Sequence, residues 1–136
     1  MVNAERSYTP DALANEDYIS LTTFRKNGNA VPTPVWFLQH DGKIFVKTAS
    51  TTGKVKRIRN NEHVTFVACN ARGIVHSDAP TFNGKAQLHE QSDFTAQIDQ
   101  AMTKRYGLFK RVIDFMGRFR EGEYIFIEIT PTPHAV

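Results

Sequence analysis

Segments of strand length, rich in β-branched and aromatic residues and bounded by short turn signals, recur along this chain. Residues 18–24 are rich in β-branched and aromatic side chains, Asn27-Gly28 is a strong turn signal, and residues 30–39 resume an extended pattern. This reads as a hairpin. Asp41-Gly42 supplies a second turn into residues 43–48, so the first three strands form an antiparallel meander. Pro32 and Pro34 each lack a backbone donor and confine the second strand to an edge or a bulge, where a ligand can reach exposed backbone groups.

A short helix follows over residues 52–60 and is ended by Asn60-Asn61. A strand over His63–Cys69 comes next, with further strands near residues 81–89 and 124–130. Before the last strand the period changes: Phe94, Ile98 and Met102 recur at spacing four, Gly107 interrupts, and Phe109, Ile113 and Met116 continue the stripe. Such a stripe is a core-facing helix surface rather than a cofactor box. Six mostly antiparallel strands, with a helix after the third and a helical excursion before the sixth, predict a mainly β fold, a six-stranded split or closed β-barrel. The chain reads as a single domain of 136 residues with its core at about 18–130, and ten Phe within 40% hydrophobic content are enough to fill it.

Charge changes this picture little. Seventeen basic and 14 acidic residues leave a net +3, a weak preference for anionic ligands. Cys69 is the one cysteine and can form no internal disulfide, while residues 1–7 hold neither an apolar signal core nor a membrane span; the expectation is a cytoplasmic protein without membrane association.

The candidate chemistry lies in residues 48–59, Thr-Ala-Ser-Thr-Thr-Gly-Lys-Val-Lys-Arg-Ile-Arg. A helix start offers unpaired N–H groups and a partial positive charge; Ser50, Thr51 and Thr52 add hydroxyls, and Lys54, Lys56 and Arg57 add full charges. That combination suits a phosphorylated small molecule. The same residues also describe an ordinary helix, with a Thr or Ser N-cap and a solvated basic face.

Taken in order, residues 21–28 (Leu-Thr-Thr-Phe-Arg-Lys-Asn-Gly), Pro32-Thr33-Pro34-Val35-Trp36-Phe37, residues 41–48 (Asp-Gly-Lys-Ile-Phe-Val-Lys-Thr), and Ser50 with residues 53–58 (Gly-Lys-Val-Lys-Arg-Ile) resemble the split β-barrel flavin and deazaflavin oxidoreductases, relatives of pyridoxamine 5'-phosphate oxidase. Within that superfamily the likeness is greatest to the short coenzyme F-420-dependent subgroup, over nearly the whole of residues 18–129. The resemblance implies an oxidoreductase that holds FMN or the deazaflavin coenzyme F-420 and passes hydride to a small organic substrate. It implies a cofactor phosphate at Thr48, Ser50, Thr52 and Lys54, a ring along Thr33, Pro34, Val35 and Trp36, and a homodimer with cofactor sites at its interface. Where the family carries a basic residue before the phosphate lysine, this chain has Gly53, so Lys56 and Arg57 either compensate at the phosphate or hold the anionic tail of a deazaflavin. The chain stops soon after the sixth strand, short of the segment that completes the vitamin B6 oxidase site, so oxidation of that vitamin is not expected.

No catalytic residue is assigned from the sequence, since the cofactor would bring the hydride chemistry. His40, His63, His76, His89 and His134 are scattered near turns and strand ends, away from metal-ligand spacing, and read as surface residues. Cys69 reads as a small core hydrophobe, Trp36 as either a ring-stacking or a core residue, and Asn70 and Arg72 as weaker interface candidates. Two other classes compete. A carrier on the same scaffold would bind a flavin or tetrapyrrole without turnover. A barrel for single-stranded nucleic acid would use aromatic platforms and a basic groove, but here the aromatics fall at core positions and the basic cluster is confined to one helix, so no nucleic acid is expected.

Overall fold

The computed structural model describes residues 11–107 and 124–133. The second half of the helical stripe, with Phe109, Ile113 and Met116, and also His134, lie outside them. After a 3-10 turn at Asp11–Leu13 come β1 (Tyr18–Phe24), β2 (Ala30–Trp36), β3 (Leu38–His40), β4 (Lys43–Ala49), α1 (Gly53–Asn60), β5 (His63–Cys69), β6 (Phe82–His89), α2 (Asp93–Tyr106) and β7 (Tyr124–Pro131). All strands pair antiparallel in one sheet of order β2-β1-β5-β6-β7-β4-β3. The two edge strands are consecutive in sequence with only Phe37 between them, so the sheet must roll until its edges approach, which is the split barrel.

Strand count is where the structure departs from the sequence reading: seven, because the predicted second strand breaks at Phe37. At the break the pairing partner changes from β1 to β4, and a side chain from outside the strand meets it. Tyr106, at the end of α2, points its buried hydroxyl at Phe37, accepting from the Phe37 N–H at 3.3 Å and facing the carbonyls of Phe37 and, at 3.3 Å, Asp17. Burial pushes the phenol pKa up, which keeps that donor proton in place.

Local sequence explains the rest. Asp41 and Gly42 both take positive φ, 52° and 76°, as a two-residue turn of primed type demands. Ser92 and Thr95 close a capping box at the start of α2, and Gly107 ends it at φ 56°. Asn61 caps the C-terminus of α1 through its N–H to the Arg57 carbonyl. Pro32 and Pro34 sit on the edge strand β2, paired to β1 alone, as their missing donors require.

Alternation sorts the strands into two cores. Ile19, Leu21, Ile44, Val46, Val64, Phe66, Phe82, Ile127 and Ile129 fill the barrel with Phe37, and Ile58 of α1 closes one end. On the outer face α2 lays Ile98, Met102 and Tyr106 over Leu38, Phe45 and Phe126. Phe94 begins the same stripe and touches the Phe45 ring at 5.7 Å, but stays 40% exposed.

Packing inside the barrel is tight at Gly84, where an added Cβ would lie 2.6 Å from Ile129 Cγ2 and 3.3 Å from the Thr130 carbonyl oxygen. Gly84→Ala is therefore expected to destabilise the protein by about 1–3 kcal/mol, read as a lower urea midpoint at unchanged slope. A midpoint equal to or above the parent's would contradict this packing.

Candidate cofactor site

The third-strand hydroxyls and the helix start do meet. Thr48, buried at the end of β4, lies with its Oγ1 3.3 Å from Thr52 Oγ1, and Thr52 Oγ1 donates to the Ala49 carbonyl at 3.1 Å. Thr52 occupies the N-cap position of α1 with extended backbone, yet its side chain makes no capping bond. Its hydroxyl is turned back to the strand instead, so the first-turn N–H groups of α1 have no side-chain cap and point outward.

Lys54 stands on this first turn, half-buried, and no described carboxylate pairs with it. Burial lowers its pKa, and the neighbouring positive charge of Arg57 lowers it further. A desolvated ammonium with only a cation for company, beside an uncapped helix start, is suited to an incoming anion. Arg57 also leaves the exposed face of α1: its Nε donates to Thr23 Oγ1 on β1 at 2.6 Å. Lys56 and Arg59 remain exposed, so the basic residues of α1 divide between two sides.

Ser50 faces Arg59's side. It lines a polar groove of about 470 Å³ with Arg59, Glu90, Gln91, Tyr124 and Ile125. Lys47, on the same outer flank, pairs with Asp99 at 3.2 Å and lies 4.0 Å above the Tyr124 ring.

The predicted ring residues Thr33, Pro34, Val35 and Trp36 run along the free edge of β2. Register ties them to the phosphate residues. Thr23, which holds Arg57, is paired with Val31, and Leu21 is paired with Thr33. At about 3.3 Å per residue, Thr33 to Val35 lie roughly 7–13 Å along β2 from the level of Thr23, a span that suits the five-carbon ribityl chain between a flavin phosphate and its ring. The loop after β5 flanks this edge: Gly73 approaches the Pro34 ring, and Ile74 and Val75 are exposed beside it at 58% and 46%. Trp36 is half-buried and stacks on Tyr106, ring centroids 4.7 Å apart and planes within 9°.

The histidines take ordinary places. His76 pairs with Glu16 at 2.9 Å, His89 with Glu128 at 2.8 Å and His40 with Asp41 at 3.5 Å, while His63 stacks on Phe24. No group of three potential metal ligands occurs among the described residues. Cys69 is buried, and burial raises its thiol pKa, consistent with a packing role. Among the described residues no helix is long and apolar enough to cross a membrane.

Sequence reasoning missed Thr23 and Tyr106. Tyr106 had a signal, being the next step of four after Met102. Thr23 had none, since its part depends on α1 folding against β1.

Residues 10–132 match the family described as pyridoxamine 5'-phosphate oxidase. No curated protein matches the sequence. Among solved structures, the heme storage protein HutZ of Vibrio cholerae is similar with a TM-score of 0.71 at 16% identity, covering 91% of this chain and 87% of that one. An F420 reductase is similar with a TM-score of 0.62 at 17% identity, over 91% and 94% of the two chains. General Stress Protein 26 of Bacillus anthracis follows at 0.60 and 20%, over 88% and 83%. Identities this low carry the fold alone.

Proposed function

We propose that this chain, which belongs to the pyridoxamine 5'-phosphate oxidase family, is an oxidoreductase holding a phosphorylated flavin-type cofactor, coenzyme F-420 or FMN, and acting on a small organic substrate. The observation that carries the reading is Lys54: a half-buried ammonium without a described counter-charge, at a helix start whose N-cap side chain is turned away. The existence of an F420 reductase on the same fold supports it.

When bound, such a cofactor supplies the hydride chemistry. The protein's part is to bind and orient. In this reading Lys54 and the first-turn N–H groups of α1 hold the phosphate, with Thr48 and Thr52 lining its approach, while Ser50 lies in the groove with Arg59. The edge of β2 holds the ring: Thr33 and Val35 are paired to β1, and the Pro32 and Pro34 carbonyls are left as acceptors toward the free edge. Trp36, fixed by Tyr106, bounds the ring's far end. Lys56 and Arg59, both exposed, offer charge to an anionic tail. A second copy of the chain against the free β2 edge, where Ile74 and Val75 stand exposed, would complete the pocket and exclude water from it.

The test is the absorbance spectrum of freshly purified protein, with sedimentation velocity on the same sample. A flavin or deazaflavin band that survives desalting and travels with a dimer is the expected result. A porphyrin band would instead make the chain a tetrapyrrole-binding protein, a reading for which the heme storage protein of Vibrio cholerae on the same fold is the precedent.

A further inference from the structure

Arg57 belongs to the second turn of α1, yet its guanidinium lies over the helix's first residue. A Cβ built on Gly53 would come within 2.7 Å of Nη1, 3.5 Å of Cζ and 3.6 Å of Nη2. Position 53 is therefore a gap, and the gap is filled by a cation from one turn further along. The guanidinium is held from behind, because Nε donates at 2.6 Å to Thr23 Oγ1, and Thr23 is fully buried on β1. One of the five guanidinium N–H groups is used in this way, and no described acceptor takes the Nη donors.

The charges around it are all of one sign. Arg57 is the charge that most affects Lys54, Arg25 is the one that most affects Arg57, and no described carboxylate pairs with any of the three. Like charges repel most strongly where solvent is partly excluded, and left to themselves these side chains would spread into water. The hydrogen bond to Thr23 and the room at Gly53 hold Arg57 against that tendency. A planar fork beside an ammonium is the donor pattern that recognises a phosphate monoester, the fork by paired N–H groups and the ammonium as a point charge.

We propose that Arg57, anchored by Thr23 and admitted by the absent side chain of Gly53, is the second phosphate-binding cation of the site, with Arg25 as an outer charge. The proposal rests on the cofactor reading above and deepens it, because it assigns Arg57 to the phosphate and leaves the tail to other residues. It also gives Gly53 a purpose: the glycine is the space through which the guanidinium reaches the helix start.

The test is calorimetric titration of the full chain with FMN and with riboflavin, which differ only in the phosphate, with thermal unfolding of each variant as a folding control. Arg57→Gln is expected to weaken FMN about tenfold and leave riboflavin unchanged. Gly53→Ala keeps Arg57 but pushes its guanidinium aside, and is expected to weaken FMN several-fold without loss of helix stability. Gly53→Arg in the Arg57→Gln background is expected to restore most of the lost affinity by delivering a guanidinium from position 53 itself. If Arg57→Gln binds FMN like the parent while Lys54→Met does not, the proposal fails and the cofactor reading stands. If neither variant affects FMN or coenzyme F-420, the reading fails as well. An equal loss of FMN and riboflavin affinity would also overturn the proposal, since the phosphate would then not be what Arg57 meets.

Discussion

Replacing Lys54 by Met is expected to weaken FMN binding ten- to a hundredfold while leaving the ligand-free protein as stable as the parent or more so. The binding loss follows from removing a charge-assisted hydrogen bond, worth about 1.5–3 kcal/mol. The stability gain follows from the pKa. Burial first, and Arg57 second, hold the folded-state pKa of Lys54 below the ordinary 10.5. Between that lowered value and 10.5 the unfolded chain binds more protons than the folded one, so parent stability rises with pH across this window. Below the window the lysine's charge is a net cost to folding, and Met does not carry it. Urea unfolding of parent and variant should therefore differ most at neutral pH and converge as pH approaches 10.5. A bound phosphate reverses the sign, because it favours the charged lysine; saturating FMN should stabilise the parent far more than the variant. Equal FMN affinity in the two proteins would show that the phosphate binds elsewhere.

Tyr106 carries the second large effect. Its hydroxyl is the partner of the Phe37 N–H at the point where β2 gives way to β3. Tyr106→Phe leaves that buried backbone group unpaired and is expected to cost about 1–3 kcal/mol, seen as a fall in Tm of several degrees. Tyr106→Ala also removes the ring stacked on Trp36 and the packing against Leu38 and Phe126, which raises the expected loss to about 3–5 kcal/mol. Because Trp36 ends the strand proposed to hold the ring, both variants should also weaken riboflavin. Lys54→Met should not. A Tyr106→Phe protein as stable as the parent would mean that the strand break is set by Phe37 itself.

That contrast shows what the sequence could disclose. Features set by neighbours along the chain were legible: the Asp41-Gly42 turn, the Asn61 cap, the confinement of Pro32 and Pro34 to an edge, and the stripe of Ile98 and Met102. Features set by contacts across the fold were not. Nothing in residues 30–40 announces a break, and the hydroxyl that meets Phe37 there belongs to a tyrosine 69 positions away. The candidate site divides in the same way. Thr48, Thr52 and Lys54 lie within one short segment, so their closeness around the start of α1 follows from the chain itself. Arg57 is on that segment too, but where its guanidinium goes depends on Thr23, a residue of another strand. Ser50 and Arg59 came to share a groove with Tyr124 because β4 pairs with β7, a register that local pattern does not specify.

Recognition of a flavin-type molecule through its phosphate is what the proposed function requires of this barrel. Titration of the purified, cofactor-stripped protein with FMN, coenzyme F-420 and riboflavin under one buffer and salt condition tests it most directly. At least one of the two phosphate-bearing ligands is expected to bind ten or more times tighter than riboflavin, with an advantage that shrinks as salt is raised. Affinities for all three that agree within a factor of two, at every salt concentration, would contradict it.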